Sequence, residues 1–315
     1  MASQAQSLSE SPACLSVAEF IVILGPTASG KTGLSLDLAR ELSAKGHRPE
    51  IINADSMQLY QGMDVATAKL PLGERQEFPH HMFDLFPPEQ EMTVVEYQKA
   101  ARGVIEDILE RGGFPILVGG SMLYLQSVIY EMDFAPTDRQ IREDLEAELE
   151  ALGPGAMLAK LRQVDPQSAE RLNVGDARRI IRALELYHLR GRGLDEFDKK
   201  PSLWRDCLIF GLEVPRDVLK QRINLRVEQM WESGLIEETQ SLRGRLSATA
   251  SVAIGYQQVE SFLGGEITKQ QAIEQIQIST ARYAKKQMTW FKRDENINWL
   301  TPEHALERML AETRL

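Results

Sequence analysis

Gly25-Pro26-Thr27-Ala28-Ser29-Gly30-Lys31-Thr32 fits the pattern G-x-x-x-x-G-K-[ST] at every fixed position. Backbone N–H groups of such a loop turn inward around an anion, and the helix that follows adds the positive end of its dipole. Lys31 supplies a mobile cation and Thr32 a hydroxyl for Mg²⁺. The eight residues therefore form a candidate diphosphate- or nucleotide-binding cradle, with Thr32 its candidate metal ligand. The pattern recognises phosphate and leaves open what the phosphate is attached to.

Four further residues have side chains suited to work beside such a cradle. Asp55 lies just past the strand candidate Pro49 to Asn53, and in open α/β sheets ligands sit beyond the carboxyl ends of strands. A carboxylate there can hold Mg²⁺ or accept a proton, although an N-cap or turn aspartate reads the same way. Ser121 follows Gly119-Gly120 at the end of Phe114 to Val118. Kinases often place a metal-organising aspartate at the end of a central strand; two glycines here would let backbone approach phosphate and Ser121 could donate to it, unless this is a plain strand-to-helix turn. Arg222 and Arg226, four residues apart, share a helix face and suit a pyrophosphate, or simply solvent. His80-His81 lacks a third ligand at a sensible spacing, so loop packing is the better reading.

The elements that must position these residues are legible from periodicity. Phe20 to Leu24 has strand length and composition, and Leu34, Leu38 and Leu42 recur at helical spacing after the loop. Residues 61–90 read as loop-rich and Val94 to Arg111 as a helix. After Ala135-Pro136-Thr137 the chain turns charged and helix-rich, with helices expected over 138–152 and 157–190 around a Gly-Pro-Gly break. Cys207 to Val214 resumes the sheet, and Val218 to Arg243 reads as one long helix. The expected fold class is α/β, a P-loop NTPase-like parallel sheet core over 19–135 and 201–315, with a helical insertion over 136–200 and a disordered tail over 1–18.

Composition bounds the rest. A chain of 315 residues with 43% hydrophobic content can bury a sizeable core. Two cysteines, Cys14 and Cys207, make no disulfide framework or metal knuckle, which fits a reducing cytoplasm. No stretch reads as a signal peptide or a membrane span. The net charge of -10 argues against nucleic acid in general, but it hides two basic segments. Residues 170–192 carry six arginines against three acids, and residues 280–293 carry five basic residues and no acid. Solvated helix faces would produce the same clusters.

The cradle GPTASGKT, ADSMQLYQGMDVATAK, PHH-x-x-D, VGGSMLYL, DARRIIRALE and the ending RYAKKQMTWFKRD together resemble the bacterial tRNA dimethylallyltransferase (tRNA isopentenyltransferase, or IPP transferase) family, over about residues 20–300. The resemblance implies transfer of the dimethylallyl group from dimethylallyl diphosphate to N6 of adenine 37 of tRNA, with pyrophosphate leaving. It implies Asp55 as general base; Lys31, Thr32 with Mg²⁺, Ser121 and Arg226 around the diphosphate; and a helical insertion gripping the anticodon stem-loop. Asp55, Ser56, Met57, Gln58, Ser121, Arg142, Arg178, Arg179, Ile180, Ile181 and Arg182 match the tRNA-binding positions, and the expected working state is a cytoplasmic monomer. Three departures stand out: Ser121 where threonine is usual, Val252 where some relatives have arginine, and Ala66 and Leu70 in the Thr67-Ala68-Lys69 loop. The rivals are adenylate isopentenyltransferases, which lack the basic ending, a P-loop kinase, and a non-enzymatic RNA-binding module that would leave Asp55 without a purpose.

Overall fold

The computed structural model describes residues 18–132, 134, 137–191 and 201–313. The predicted tail falls outside these residues apart from Ala18, as do Cys14, Ala135, Pro136, Arg192 and Gly193. Six strands, β1 (Phe20–Leu24), β2 (Pro49–Ala54), β3 (His80–His81), β4 (Phe114–Gly119), β5 (Cys207–Leu212) and β6 (Ile297–Leu300), form one parallel sheet in the order β3-β2-β4-β1-β5-β6. Helices cover the sheet, so β1, β2 and β4 are buried at every residue, which is why β1 and β4 run continuously apolar rather than alternating, while β2 buries two polar residues, Glu50 and Asn53. Helix α1 (Lys31–Ala44) packs Leu38, Ala39 and Leu42 against Ile21, Ile23 and Ile116. Helix α2 (Val94–Glu110) starts on a capping box in which Thr93 and Glu96 satisfy each other's backbone N–H groups.

Register explains why the candidate residues meet. Leu24 and Ala54 are both partners of Gly119, so the chain leaves β1, β4 and β2 at one level, and Gly25, Gly120 and Asp55 are the next residues out. Packing by itself requires glycine at both positions. A Cβ on Gly119 would lie 2.2 Å from the Ala54 carbonyl oxygen, and one on Gly120 would lie 2.5 Å from Gln287 Nε2 and 3.1 Å from the Gly25 oxygen. Helix α3 (Met122–Ile129) follows them.

The chain divides into two compact units, 1–130 with 203–315, and 131–202. The smaller unit holds α4 (Arg139–Val164), α5 (Pro166–Glu170) and α6 (Ala177–Arg190) around Leu145, Met157, Leu161, Leu172, Ile180 and Leu184. The expected break at 153–155 is a kink at Gly153, whose φ of 78° is left-handed. The single helix expected over 157–190 is instead three pieces. Asp165 accepts from the Ser168 N–H and Pro166 takes the first position of α5, which is a start signal inside the run.

In the larger unit the helix expected over 218–243 is also two, α7 (Arg216–Glu232) and α8 (Leu235–Leu242). Gly234, at φ 99°, turns the chain between them. With α9 (Tyr256–Leu263) and α10 (Lys269–Phe291) they close over Ile223, Val227, Trp231, Leu235, Val259 and Ile276. Helix α11 (Ala305–Thr313) returns to the sheet. Among the described residues no helix is long and apolar enough to cross a membrane.

Candidate active site

The glycine loop is a built cradle. Gly25 and Gly30 have φ of 154° and 96°, and Ala28 is held in the left-handed region at 63°, a strained position for a residue with a Cβ. Ser29 Oγ is buried and has no hydrogen-bond partner among the described residues. Lys31 Nζ bends back to donate to the Pro26 carbonyl at 2.7 Å. An unpaired hydroxyl and an ammonium resting on a main-chain oxygen are what a cradle shaped for an anion leaves behind. Loss of water around Lys31 pushes its ammonium down to about 8; Asp55 opposes that shift and Arg226 adds to it.

Asp55 is positioned by its neighbours in the chain. Its N–H donates to Asn53 Oδ1 (3.0 Å), while Asn53 Nδ2 donates to the Asp55 and Met82 carbonyls. Its Oδ1 accepts from the Met57 N–H at 3.0 Å, the turn contact that sequence left open as an alternative. Among the described residues no hydrogen bond reaches Oδ2. One oxygen fixes the turn and the other can accept a proton.

Ser121 is joined to this turn. Its Oγ accepts from the Ser56 N–H at 2.9 Å and lies 3.1 Å from Ser56 Oγ. Burial and the charge of Asp55 push the hydroxyl of Tyr283, on α10, up, and the nearby Ser121 and Gln287 side chains oppose that shift. Of the two arginines, Arg226 is the one drawn in. Its Nη1 donates to Thr27 Oγ1 at 3.3 Å and its Nη2 to the Thr67 carbonyl at 3.2 Å, whereas the exposed Arg222 reaches the Ser29 carbonyl at 3.4 Å. The Thr67 carbonyl also accepts from Gln58 Nε2 at 3.0 Å. Thr32 is exposed at the first turn of α1.

Gln287, 1% exposed, was not singled out by sequence. Its Oε1 accepts from the Thr27 N–H (2.9 Å) and its Nε2 donates to the Gly120 carbonyl (2.8 Å), so one amide ties the cradle to the end of β4. The available signal was an uncharged residue directly after Lys285-Lys286 on a basic helix. Lys69 was likewise passed over; its buried ammonium donates to the Tyr60 carbonyl and pairs with Asp64 and Asp84, pinning the loop that carries Thr67. The two histidines are taken up by protein partners, His81 by the buried Glu50 and His80 by the Phe78 and Arg75 carbonyls, as expected for loop packing. Cys207 is a free thiol, pushed up to about 12 by burial and by Asp206 and other nearby acids.

In the helical unit Arg178 and Arg179 are exposed at the start of α6, but Ile180 and Ile181 are core. Their side chains pack under α4, so any part these two residues take in an RNA contact falls to the main chain; helical periodicity turns them inward as it turns the arginines out. Arg142 and Arg182 are less free than expected, because both donate to Glu185, whose side chain is 0% exposed. Burial pushes the Glu185 carboxyl up, but hydrogen bonds from Arg182, Arg142 and the Asp138 N–H prevail and hold it below its ordinary value. Its contribution to stability is therefore complete at neutral pH and is lost as pH falls below the normal carboxylate range. Replacing Glu185 with Gln should destabilise this unit by about 3–5 kcal/mol, the usual cost of breaking a buried pair, measured by urea unfolding and by faster hydrogen exchange in α4 and α6. Unchanged exchange there would refute it.

A family model described as IPP transferase matches residues 58–294. The chain belongs to the IPP transferase family. Similar members include the tRNA dimethylallyltransferase of Clavibacter sepedonicus, 46% identical over 92% of this chain and 98% of that protein, and that of Anoxybacillus flavithermus, 41% identical over 93% and 94%. Among solved structures, the tRNA isopentenylpyrophosphate transferase of Bacillus halodurans superposes with a TM-score of 0.68 at 36% identity, covering 94% of this chain and 96% of that one. A eukaryotic dimethylallyltransferase acting on tRNA gives 0.77 at 29% identity, over 94% and 78%. The fold expected from the glycine loop is thus the fold of the IPP transferase family.

Proposed function

We propose that this protein transfers the dimethylallyl group of dimethylallyl diphosphate to N6 of adenine 37 of tRNA, releasing pyrophosphate. The observation that carries this reading is the exit of Gly25, Asp55 and Ser121 at the ends of the neighbouring strands β1, β2 and β4, which sets a free carboxylate oxygen beside an anion cradle. Family membership supplies the reaction class.

The cradle amides, Lys31, Ser29 and Arg226 hold the diphosphate, and these donors act most strongly as the leaving group gathers charge. Arg226, withdrawn from water, has its guanidinium held below its ordinary value by burial and propped up by Asp55, so an arriving diphosphate restores a counter-charge. Asp55 Oδ2 accepts the N6 proton as the C–N bond forms, since an exocyclic amine is a weak nucleophile. Ser121 orients the Ser56 backbone, and so the 55–58 turn that faces the base.

The donor set also fits Mg²⁺. Among the described residues no three His, Cys, Asp or Glu side chains gather to cage a metal, and Thr32 offers a hydroxyl at the cradle's edge. Mg²⁺ keeps several waters and shares substrate phosphate oxygens, so it would be held by Thr32 and the diphosphate and would neutralise departing charge.

Support for RNA comes from the exposed basic residues. Arg178 and Arg179 stand out from α6, and Arg282, Lys285, Lys286 and Arg293 from α10 and its end, where Trp290 is exposed and Phe291 is core. A loop adenine is partly unstacked already, so extruding it costs less than from a duplex. The test is transfer of labelled dimethylallyl from its diphosphate, with Mg²⁺, to an unmodified anticodon stem-loop carrying adenines at 36–38, beside AMP and ATP. Label on the RNA alone is expected. Label on the free nucleotides alone would make this a cytokinin-type enzyme and overturn the RNA assignment.

A further inference from the structure

We infer that Glu238 is a positioning residue that sets Arg226 and Gln58 together through the backbone of the 64–67 loop; this rests on the diphosphate role proposed above for Arg226. Glu238 lies on α8, outside the cradle and the strand ends. Its Oε2 accepts from the Asp64 N–H (2.8 Å) and the Val65 N–H (2.6 Å), and its Oε1 from the Ala66 N–H (3.0 Å) and the Tyr256 hydroxyl (2.9 Å). Three successive amides turned onto one carboxylate make an anion nest filled by the protein's own side chain. Charge-assisted bonds of this kind are about twice as strong as neutral ones, so the loop is fixed where the nest closes.

The residue immediately after the nest is Thr67. Its carbonyl accepts from both Arg226 Nη2 and Gln58 Nε2, and Arg226 continues to Thr27 of the cradle. One main-chain oxygen therefore aligns the diphosphate arginine and the 55–58 turn, and Glu238 determines where that oxygen points. Lys69 holds the far end of the loop and Thr67 Oγ1 its middle, by donating to the Met63 carbonyl. Gly255, at φ 121°, lets the Gly-Tyr segment approach Ala66 closely enough for Tyr256 to reach the same carboxylate. Burial and the neighbouring Glu238 charge push the Tyr256 hydroxyl well up, so it remains a donor throughout the working pH range.

The decisive experiment measures pyrophosphate affinity by calorimetry in the wild type, Glu238→Gln, Tyr256→Phe, Arg226→Gln and the Glu238→Gln/Arg226→Gln double variant, with thermal melting as the folding control. A glutamine keeps one acceptor oxygen and turns an NH₂ toward donors, so the nest opens. Affinity is expected to fall roughly tenfold to a hundredfold in Glu238→Gln, the scale of an ångström-sized misplacement, and far less in Tyr256→Phe, which leaves all three amides bound. In the Arg226→Gln background the Glu238 effect should nearly vanish, because the two act in series. Equal losses in Glu238→Gln and Tyr256→Phe that follow their melting temperatures would reduce Glu238 to a strut between α8 and α9 and overturn the inference, as would additive losses in the double variant. Pyrophosphate binding reads this without reference to prenyl transfer, so an inactive wild type would reject the proposed function alone.

Discussion

Asp55→Asn is expected to lower the rate of dimethylallyl transfer about 10²- to 10⁴-fold, the range for losing a general base, with little change in the KM for dimethylallyl diphosphate. The substitution is well suited to the question because an asparagine oxygen can still accept from the Met57 N–H, and the turn that Asn53 and Asp55 build should survive. What disappears is the proton acceptor at the second oxygen. Asp55 also supports the charges of Lys31 and Arg226, so a purely electrostatic role would show as a raised KM with kcat preserved. Single-turnover transfer to a labelled stem-loop separates the two. A rate equal to wild type would remove Asp55 from the chemistry.

Lys31→Met should cost about 10²- to 10³-fold in kcat/KM, comparable to deleting one preorganised donor at a developing anion. The sharper signature is its pH dependence. With the ammonium at about 8 in the free protein, diphosphate binding must supply a proton to a growing fraction of molecules as pH rises. Affinity should therefore be flat below that value and fall by up to tenfold per pH unit above it, until the ammonium in the complex begins to titrate. The diphosphate itself is fully ionised there, since a terminal phosphate loses its last proton near pH ~6. In Lys31→Met the same titration should show no bend near that value, since the diphosphate has already lost its last proton near pH ~6. A wild-type profile without the bend would mean that the ammonium already has its counter-charge before substrate arrives.

These two expectations rest on residues that were visible in the chain before it was folded, and that is no accident of choice. The cradle, Asp55 and Ser121 each sit just after a strand, and strands buried on both faces announce themselves as short apolar runs. Chemistry that follows a strand end is local information: the loop pattern spans eight residues, and the Asp55 turn is closed by Asn53 and Met57. The parallel α/β class and the presence of a helical insertion were legible for the same reason. Helix ends were less so: the Asp165-Pro166 start is a local signal that the long periodic run masked, and Gly234 reads as an interior residue until its positive φ is seen.

What only the tertiary structure decided lies across long separations. Gln287 is 260 residues from the Thr27 amide it binds, and Glu238 is 174 from Asp64. No periodicity carries such pairings, since they depend on which face of α8 or α10 is turned to the cradle. Spacing alone made Arg222 and Arg226 equivalent; the packing of Ile223 and Val227 against α10 and its neighbours sends one inward to Thr27 and Thr67 and leaves the other exposed. Arg178 to Ile181 divided in the opposite sense, two to the surface and two to the core. The sequence by itself determined which groups are present at the strand ends, because local backbone geometry puts them there. Their orientation was settled by side chains from distant helices, because the angle of a guanidinium or a loop carbonyl is set by whatever hydrogen-bonds to it.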